Sequence, residues 1–426
     1  MSAKACDVLV IGGGPAGSTI SALLATRGRD VVMLEKERHP RFHIGESLLP
    51  LNLQLFEKLG VAEEVRRIGM PKYGAEFNAP GLGEPVTFDF SKAVDKQYPS
   101  AYQVRRSVFD ELLFRHATKR GAKTMEEVRV TAVEFNDKGA LVTATLPDGG
   151  EAKWQARFLV DASGRDTFIA NKFGGKRRNP DHASSAIFGH FTGAKRLPGR
   201  EEGNISMWWF DHGWFWFIPL LDGTTSVGAV CWPYYMKSRK VPPEQFFFDT
   251  IAMAPGLQER LRDAKLMSPV TATGNYSYEM ERATGRNYIL VGDAYTFIDP
   301  VFSTGVMLAM QSGFTGADTV ETCLDHPERA AATLEHYDRH MRRGPRIFSW
   351  FIYRMTTPAV RHLFMNPKSM FVQSGVLSML AGDVFRGTPI GLRLVTFKVL
   401  YFLSNLFYPR RWLANMRKRR AIVQEV

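Results

Sequence analysis

Short apolar runs, each followed by glycine or an acidic residue, recur along much of the chain. Residues 7–17, DVLVIGGGPAG, place four consecutive apolar residues before a glycine-rich turn, which predicts a buried strand leading into a helix that continues through residues 18–27. Residues 29–35, RDVVMLE, form a second such run. FLVDASGR at 158–165 and NYILVGD at 287–293 repeat the apolar run that breaks at Asp and Gly. These runs predict buried parallel strands from distant parts of the chain.

Alternating apolar and polar residues mark a second kind of segment. Residues 128–135 and 140–146 alternate and are followed by an Asp-Gly-Gly turn, which predicts an antiparallel meander. Residues 204–210, 213–220 and 224–232 are three further strand-like runs, separated by DHG and DG. Tight turns of this kind join neighbouring antiparallel strands, so the sequence predicts a second meander here.

The middle run of that second meander, GWFWFIP, is apolar at almost every position. A period of two puts Trp214, Trp216 and Ile218 on one face and Phe215 and Phe217 on the other. We therefore expect both faces of this strand to be covered.

The C-terminal part of the chain is predicted to be helical, apolar and basic. Residues 347–355, 369–385 and 392–408 carry too many aromatic and aliphatic side chains for solvated surface. Residues 394–408 contain Lys398 as their only charge, but a helix needs about 20 apolar residues to cross a bilayer. A spanning helix is therefore not expected.

These patterns together predict a fold of the α/β plus antiparallel-β class. We assign a Rossmann-like domain to residues 1–175 and 280–345, with part of the substrate region interleaved. Residues 176–279 are predicted to form a substrate-domain sheet, and residues 346–426 a helical C-terminal region.

The glycines of the first turn have separate physical tasks. Gly12 permits the tight turn, Gly14 lets backbone N–H groups approach a pyrophosphate, and Gly17 allows the helix to pack closely on the strand. Glu35 ends the second apolar strand about 20 residues later, where a carboxylate accepts hydrogen bonds from an adenosine ribose. Strand, helix and carboxylate agree, so we favour dinucleotide binding over a plain strand-to-helix turn.

Three polar residues elsewhere each have two readings. Ser47 precedes an apolar helix and either meets the polar part of a cofactor or simply caps that helix. Arg106 either neutralises a phosphate or contacts the cofactor ring, or is a solvated arginine in a first helical turn. Residues 70–77, MPKYGAEF, begin a strand with Lys72 at its start, and this lysine is either solvated, as a lone lysine usually is, or catalytic.

Charge and cysteine content limit the choice of partner and compartment. The net charge of +12 favours acidic partners, and it is concentrated in residues 410–420, RRWLANMRKRR. Cys6, Cys231 and Cys323 have neither metal-ligand nor disulfide spacing, which indicates a reducing cytoplasm and no metal site. No leader segment or nucleic-acid module is recognisable, so we expect no nucleic-acid partner.

The three dispersed motifs GGGPAG with Glu35, FLVDASGR and NYILVGDA resemble the FAD-binding fold of the para-hydroxybenzoate hydroxylase type, over roughly residues 1–345. The resemblance implies FAD as cofactor, with Asp161 and Gly164 supporting the cofactor domain and Asp293 binding the ribityl chain. The expected cofactor-binding residues are Gly12, Gly14, Ala16, Gly17, Glu35, Lys36, Ser47, Arg106, Asp161 and Asp293.

Two further motifs look like those of flavin-dependent halogenases. GWFWFIP contains WxWxIP, and FIDPVFSTG matches FxPxxSxG once a one-residue difference in spacing is allowed. Lys72 stands where that family has its catalytic lysine, and the match is closest to the branch that acts on phenols and pyrroles. In tryptophan-type members a glutamate precedes the Ser-Thr-Gly turn, whereas this chain has Phe302. The departure favours an activated phenol or pyrrole ring.

The resemblance implies a division of roles among the site residues. A separate flavin reductase would supply reduced FAD, which with O₂ and chloride or bromide gives hypohalous acid that is relayed to Lys72. The halide would meet Ser303, Thr304 and Gly305 at a helix N-terminus. The residues expected along the passage between flavin and lysine are Trp214, Trp216, Pro300 and Phe302.

The basic, apolar C-terminus leaves three interpretations open. In the first, Arg410, Arg411 and residues 417–420 steer the approach of an acidic carrier protein that presents a tethered aromatic acyl group. In the second, residues 402–412 contact a membrane peripherally. In the third, the region is an ordinary helical cap with a solvated tail. Two rival functions also stay open. One is a monooxygenase or geranylgeranyl-reductase-like enzyme, and the other is a flavoprotein without catalysis.

Overall fold

The computed structural model describes residues 3–179, 182–355, 357–366 and 369–407. The strands, in chain order, are β1 (Lys4–Ile11), β2 (Val31–Leu34), β3 (Gly69–Lys72), β4 (Gly74–Asn78), β5 (Val86–Asp89), β6 (Ala101–Val104), β7 (Lys123–Met125), β8 (Arg129–Asn136), β9 (Gly139–Thr145), β10 (Glu151–Asp161), β11 (Lys176–Arg178), β12 (Ser184–Thr192), β13 (Ile205–Phe210), β14 (Gly213–Pro219), β15 (Thr225–Cys231), β16 (Lys265–Leu266), β17 (Thr271–Tyr276), β18 (Tyr278–Met280), β19 (Thr284–Gly285), β20 (Tyr288–Leu290) and β21 (Thr296–Phe297). The α-helices are α1 (Pro15–Thr26), α2 (Leu51–Leu59), α3 (Ala62–Ile68), α4 (Arg106–Lys119), α5 (Phe168–Phe173), α6 (Pro233–Lys237), α7 (Pro243–Ile251), α8 (Pro255–Arg260), α9 (Gly305–Asp325), α10 (Ala330–Ile352), α11 (Pro358–Met365), α12 (Met370–Leu380) and α13 (Gly391–Phe407).

The first sheet is built from the apolar runs that the sequence marks as buried strands. It has 8 strands, with β20, β10, β1, β2 and β7 side by side and parallel, and β9, β8 and β19 added in antiparallel pairing. Val8 lies opposite Phe158 in β10 and Val31 in β2, and all three side chains are buried. The Rossmann-like parallel sheet and its antiparallel meander are therefore confirmed.

The second sheet, also of 8 strands, follows the order β16, β12, β15, β14, β13, β4 and β5, with β17 pairing β12. Its β13–β14–β15 meander is the one predicted from the DHG and DG turns. Trp214 and Trp216 belong to the core on one face of the sheet, and Phe215 and Phe217 to the core on the other. Both faces are covered, as predicted, while the exact domain limits stay a prediction.

The C-terminal helices close the Trp214 face of the second sheet. Helices α10, α12 and α13 fall where the sequence predicts them. The Phe364 ring of α11 packs 5.5 Å from the Phe77 ring and 5.4 Å from the Phe88 ring, so this helical layer shares one core with the sheet. In the described ranges, no helix has both the length and the apolar character needed to cross a membrane.

The predicted continuous strand over 70–77 is wrong, because the chain changes sheets within it. Strand β3 ends at Lys72 and pairs with β6, whereas β4 begins at Gly74 and pairs with β13 and β5. At the break, the Asn204 side-chain oxygen accepts hydrogen bonds from the backbone N–H of Tyr73 at 3.0 Å and of Gly74 at 2.7 Å. Lys72 therefore lies at the end of a strand and not at the start of one.

Candidate active site

A cavity of about 1280 Å³, the large cavity, lies between the carboxyl ends of the parallel strands and the Trp214 face of the second sheet. Ligands in α/β folds bind outside the carboxyl ends of parallel strands. The predicted cofactor residues that line it are Gly12, Gly14, Ala16, Glu35, Lys36, Ser47, Arg106 and Asp293. Gly17 and Asp161 lie behind its wall and not in its lining.

The glycines of the first turn separate into two kinds. A Cβ on Gly17 would lie 2.0 Å from the Gly12 carbonyl oxygen, and one on Gly12, at φ +100°, would lie 2.5 Å from the Ala162 carbonyl oxygen. Protein packing alone therefore demands both. A Cβ on Gly14 would have Arg41 Nη2 as its nearest neighbour, at 3.6 Å. Because packing leaves room there, a glycine that faces the large cavity fits the close approach of a dinucleotide phosphate.

Glu35 closes the unit that the glycines open. Its Oε2 accepts a 2.7 Å hydrogen bond from Gly13 N–H, and its Oε1 accepts a 2.9 Å bond from Glu37 N–H. The carboxylate is buried yet reaches the cavity surface, and each oxygen retains a lone pair for a ribose hydroxyl. The side chain is thus held where the sequence motif expects it.

The two aspartates of the later motifs occupy different positions. Asp161 is fully buried, and its oxygens accept hydrogen bonds from Ser163 N–H at 2.9 Å and Ile169 N–H at 2.8 Å, so it ties down the loop after β10. Asp293 lines the large cavity, and burial raises the pKa of its carboxyl group to about 6 although Arg106 and Arg165 oppose the shift. Of these two carboxylates, only that of Asp293 faces the large cavity.

Arg106 is buried, so its reading as a solvated arginine is wrong. Its guanidinium binds the Asp110 carboxylate through Nε at 2.8 Å and Nη2 at 3.0 Å, and Nη1 donates to the Ile44 carbonyl at 2.9 Å. The ion pair holds the pKa of Asp110 below its usual range despite burial. Lys36, in contrast, is only partly buried and pairs with Asp166 at the cavity edge.

The Ser303 turn is a strained connection at the start of α9. Ser303 has φ +56°, in the left-handed region, and its N–H is taken by the Pro300 carbonyl at 2.8 Å. The amides of Thr304 and Gly305 begin α9 and have no acceptor within the helix. No heavy atom lies within 4 Å of a Cβ built on Gly305, which faces the large cavity. Free amides and open space are what an anion requires.

Trp214 and Trp216 form a wall of the large cavity. Their ring centroids lie 6.1 Å apart, and Trp216 Nε1 donates a 3.1 Å hydrogen bond to Ser226 Oγ. Gly228 lies directly opposite Trp216 in the next strand, where a Cβ would come within 2.3 Å of the indole. The indole therefore lies flat across β15, in an orientation fixed by its neighbours.

Behind this wall is a small space of about 20 Å³, the lysine cavity, with Lys72 in its lining. Ile205, Trp214 and Ser303 line both cavities, so they form the partition between them. Pro300 lies on the large-cavity side and Phe302 on the lysine side, whereas Thr304 lines neither. The structure thus brings Lys72, the tryptophan wall and the Ser303 turn together.

Lys72 is 1% exposed and has no carboxylate partner among the described residues. Its Nζ donates hydrogen bonds of 2.9 Å to Ser47 Oγ and 2.9 Å to the Leu48 carbonyl, and lies 5.3 Å from the centre of the Phe90 ring. Burial lowers the pKa of the Lys72 ammonium to about 7, because desolvation disfavours the charged form. The amine is therefore poised between its neutral and charged states near neutral pH.

Residues 45–48 connect the two cavities, and the sequence analysis missed two of their contacts. Besides Ser47 and Leu48, which hold Lys72, Gly45 offers its carbonyl to Arg106 at 3.3 Å. Glu46, which is buried, bonds His190 Nε2 at 2.9 Å through Oε1. His190 stands 144 positions away in β12, so no local signal in the sequence reveals this pair.

A second missed group supports the Ser303 turn. Asp299 Oδ2 bonds His182 Nε2 at 2.8 Å and Ser184 Oγ at 2.8 Å, while Oδ1 accepts from Val301 N–H at 3.2 Å. Asp299 thereby caps the short helical turn Pro300–Phe302 that precedes Ser303. Its position just before a proline is the signal that could have identified it as a cap.

Comparison with known proteins identifies several relatives. Residues 5–343 match the FAD binding domain family. The chain is 28% identical to a 1H-pyrrole-2-carbonyl-(peptidyl-carrier protein) chlorinase of Pseudomonas fluorescens, over 91% of each chain. It is 31% identical to the corresponding brominase of Pseudoalteromonas luteoviolacea, over 76% of this chain and 79% of that protein. The solved structure of the myxobacterial chondrochloren halogenase CndH, described as a variant of FAD-dependent halogenases, superposes with a TM-score of 0.80 at 32% identity, over 94% of this chain and 97% of that one.

Proposed function

We propose, from the premise that the chain belongs to the flavin-dependent halogenases, that Lys72 delivers the halogen to an electron-rich aromatic substrate. The protein is an FAD-dependent halogenase, and the predicted enzyme class and cofactor are confirmed. The observation that carries the proposal for Lys72 is the shared partition of Ile205, Trp214 and Ser303, which puts this buried amine directly behind the cofactor cavity.

When held by the residues that line the large cavity, reduced FAD would supply hypohalous acid from O₂ and a halide ion. The chain holds the halide through the Thr304 and Gly305 amides at the N-terminus of α9, where the helix dipole favours an anion. The Ser303 backbone sets the start of α9, where Gly305 lines the large cavity, and the Asp299 cap keeps that turn in place.

Lys72 receives the hypohalous acid on the other side of the partition. A neutral amine either donates hydrogen bonds to the acid or forms an N–Br or N–Cl bond as water leaves, and a lowered pKa favours the neutral form. Ser47 Oγ and the Leu48 carbonyl fix the direction of Nζ. The Trp214 and Ile205 side chains keep the organic substrate away from the cofactor, which suppresses hydroxylation.

We propose a phenol or pyrrole as substrate, carried by an acidic peptidyl or acyl carrier protein. Two relatives are named for pyrrole-2-carbonyl groups on a peptidyl-carrier protein, which supports this class. The lysine cavity has Phe302 in place of the tryptophan-type glutamate. Glu76 also lines this cavity, but its carboxylate lies on the opposite face of β4 and forms an ion pair with Arg260 at 2.9 Å. A ring that directs its own substitution is therefore required.

The same proposal includes a separate flavin reductase and a reducing compartment. Cys6, Cys231 and Cys323 are buried free thiols, which suits the cytoplasm. We expect NADH alone to give almost no halogenated product and a flavin reductase to restore turnover. NADH that directly bleached the bound flavin would contradict this part of the proposal.

Contact of the C-terminal region with a membrane is also proposed, and residues 408–412 of its predicted span lie outside the described residues.

The test is mass spectrometry of products from phenols and pyrrole-2-carboxylate, free and carrier-bound, with reduced FAD, O₂ and bromide. We expect a bromine isotope doublet on at least one substrate, strongest on the carrier-bound form. A product that gains one oxygen and no bromine would instead identify a monooxygenase. A reduced double bond would identify a reductase.

A further inference from the structure

Helix α13 carries apolar side chains on two opposite faces. One face, with Leu394, Phe397 and Tyr401, is buried in the core of the C-terminal region. The opposite face is bare, although a helix that is apolar all round is normally covered all round. The exposed residues of this face, which we call the α13 stripe, are between 46% and 73% exposed: Leu392, Val395, Val399, Phe402, Leu403 and Leu406.

The spacing of the α13 stripe shows that it is one continuous surface. Apart from the adjacent Phe402 and Leu403, its members recur at intervals of three or four positions, which places them along one side of the helix. Met370 and Phe371 at the start of α12 are also exposed, and α12 packs beside α13. A contiguous apolar surface of this kind marks an interaction site.

The charges around the stripe are all of one sign. No Asp or Glu occurs between residues 384 and 424, whereas the same stretch contains Arg393, Lys398, Arg410, Arg411 and the run RKRR at 417–420. Within the described part of the chain, Arg393 and Lys398 form no ion pair. The residues after 407 lie outside the described ranges, but their charge is fixed by the sequence. An apolar row beside uncompensated cations complements an anionic, apolar surface.

We propose that the α13 stripe is a docking surface for an anionic lipid bilayer and that the helix lies in the plane of the interface. The helix has 17 residues, so it is about 25 Å long, too short to cross a bilayer but sufficient to lie along one. A second copy of the chain is disfavoured as the occupant, because pairing α13 with itself would bring the Arg393 and Lys398 cations of both copies to one interface. The proposal does not depend on the assignment of halogenase activity.

The experiment is co-sedimentation of the full chain with vesicles of phosphatidylcholine alone and of phosphatidylcholine with phosphatidylglycerol. We expect at least about tenfold stronger partitioning onto the anionic vesicles, weakened at high salt. The triple variant Val395→Asp/Val399→Asp/Leu406→Asp should lose this binding, since burying three carboxylates in the interface is unfavourable. Far-UV circular dichroism and flavin content should stay unchanged, because all three side chains are exposed.

The matched control places three carboxylates on exposed apolar residues elsewhere, as Leu221→Asp/Val241→Asp/Met267→Asp. This variant should bind anionic vesicles as the unaltered protein does. The proposal is overturned if the unaltered protein fails to bind anionic vesicles, or if the α13 variant binds them equally well. Two further outcomes would overturn it if the unaltered protein does not bind vesicles. One is that the α13 variant abolishes self-association, and the other is that it abolishes binding to an acidic carrier protein.

Discussion

The large cavity and the lysine cavity share one partition but differ in size and in chemistry. The first has about 1280 Å³ and has many charged side chains in its lining, whereas the second has about 20 Å³ and, in the described ranges, has only Lys72 and Glu76 as charged residues in its lining. Only a species about the size of a water molecule fits the second as it stands. The contrast fits our proposal that a bulky reagent stays on one side while a small oxidised halogen species crosses the partition.

The two cavities also differ in whether the cations in their linings are paired with carboxylates. Arg106 in the large cavity is compensated by Asp110, and Lys36 by Asp166. Lys72 has two hydrogen-bond acceptors and no counter-ion among the described residues, and burial lowers its pKa to about 7. Arg106 and Lys36 are thus paired with carboxylates, whereas, within the described part of the chain, Lys72 is not.

The largest expected effect comes from breaking the large cavity at its glycines. Gly17→Ala forces a Cβ to within 2.0 Å of the Gly12 carbonyl, so we expect destabilisation of about 3 kcal/mol or more and loss of bound FAD. Gly14→Ala is the matched control for packing, because its Cβ has 3.6 Å of clearance. It should leave the unfolding temperature of the FAD-free protein unchanged while weakening FAD binding. Equal thermal stability of both variants would contradict this distinction.

A tenfold change in the halogenation rate is expected between pH 6 and pH 8. This experiment tests the protonation state of the unpaired Lys72. If the neutral Lys72 amine is the acceptor and its pKa is about 7, the single-turnover halogenation rate should rise about tenfold from pH 6 to pH 8. Flavin oxidation measured in the same samples should change far less. A halogenation rate that falls over this interval would identify the ammonium as the active form.

The titration of Lys72 should also affect how the free energy of unfolding depends on pH. Unfolding returns the Lys72 pKa from about 7 to about 10.5, so between these values the unfolded chain binds more protons and stability rises with pH. Lys72→Met should remove this contribution from the pH dependence of the free energy of unfolding. An identical pH dependence in the two proteins would place the Lys72 pKa outside this window.

The smallest effect is expected from the connection between the cavities. Ser47→Ala removes one of the two acceptors that orient Lys72, a loss of about 1 kcal/mol, so halogenation should slow about fivefold. Ser238→Ala, at a residue that lines neither cavity, is the control and should have no effect. A loss of flavin binding instead of halogenation in Ser47→Ala would show that Ser47 serves the cofactor alone.

The sequence predicted the large cavity better than the lysine cavity, for a physical reason. Strand-to-helix turns such as that at Gly12 are local, so the spacing of their glycines in the sequence is enough to predict a cofactor turn. The period of two along GWFWFIP also assigned the faces of Trp214 and Phe215 correctly. The Arg106–Asp110 pair was also readable, as an i,i+4 pair on one helix, but was overlooked.

The lysine cavity depends on contacts between distant parts of the chain. The break after Lys72 is stabilised by Asn204, and Glu46 is held by His190, residues that no local pattern connects. The family resemblance placed Lys72 beyond Trp214 and Trp216, whereas the contacts that hold its Nζ there became visible only in the fold. Its catalytic role stays a prediction.

The most direct test of the central claim compares Lys72→Met with the unaltered protein, using reduced FAD, O₂, bromide and the aromatic substrate identified by mass spectrometry. Lys153→Met, at a partly exposed lysine of β10 that lines neither cavity, is the control. The quantity to measure is brominated product formed per flavin oxidised. We predict that Lys72→Met binds and oxidises flavin normally while its product falls at least about 100-fold. Brominated product at the unaltered yield would contradict the account.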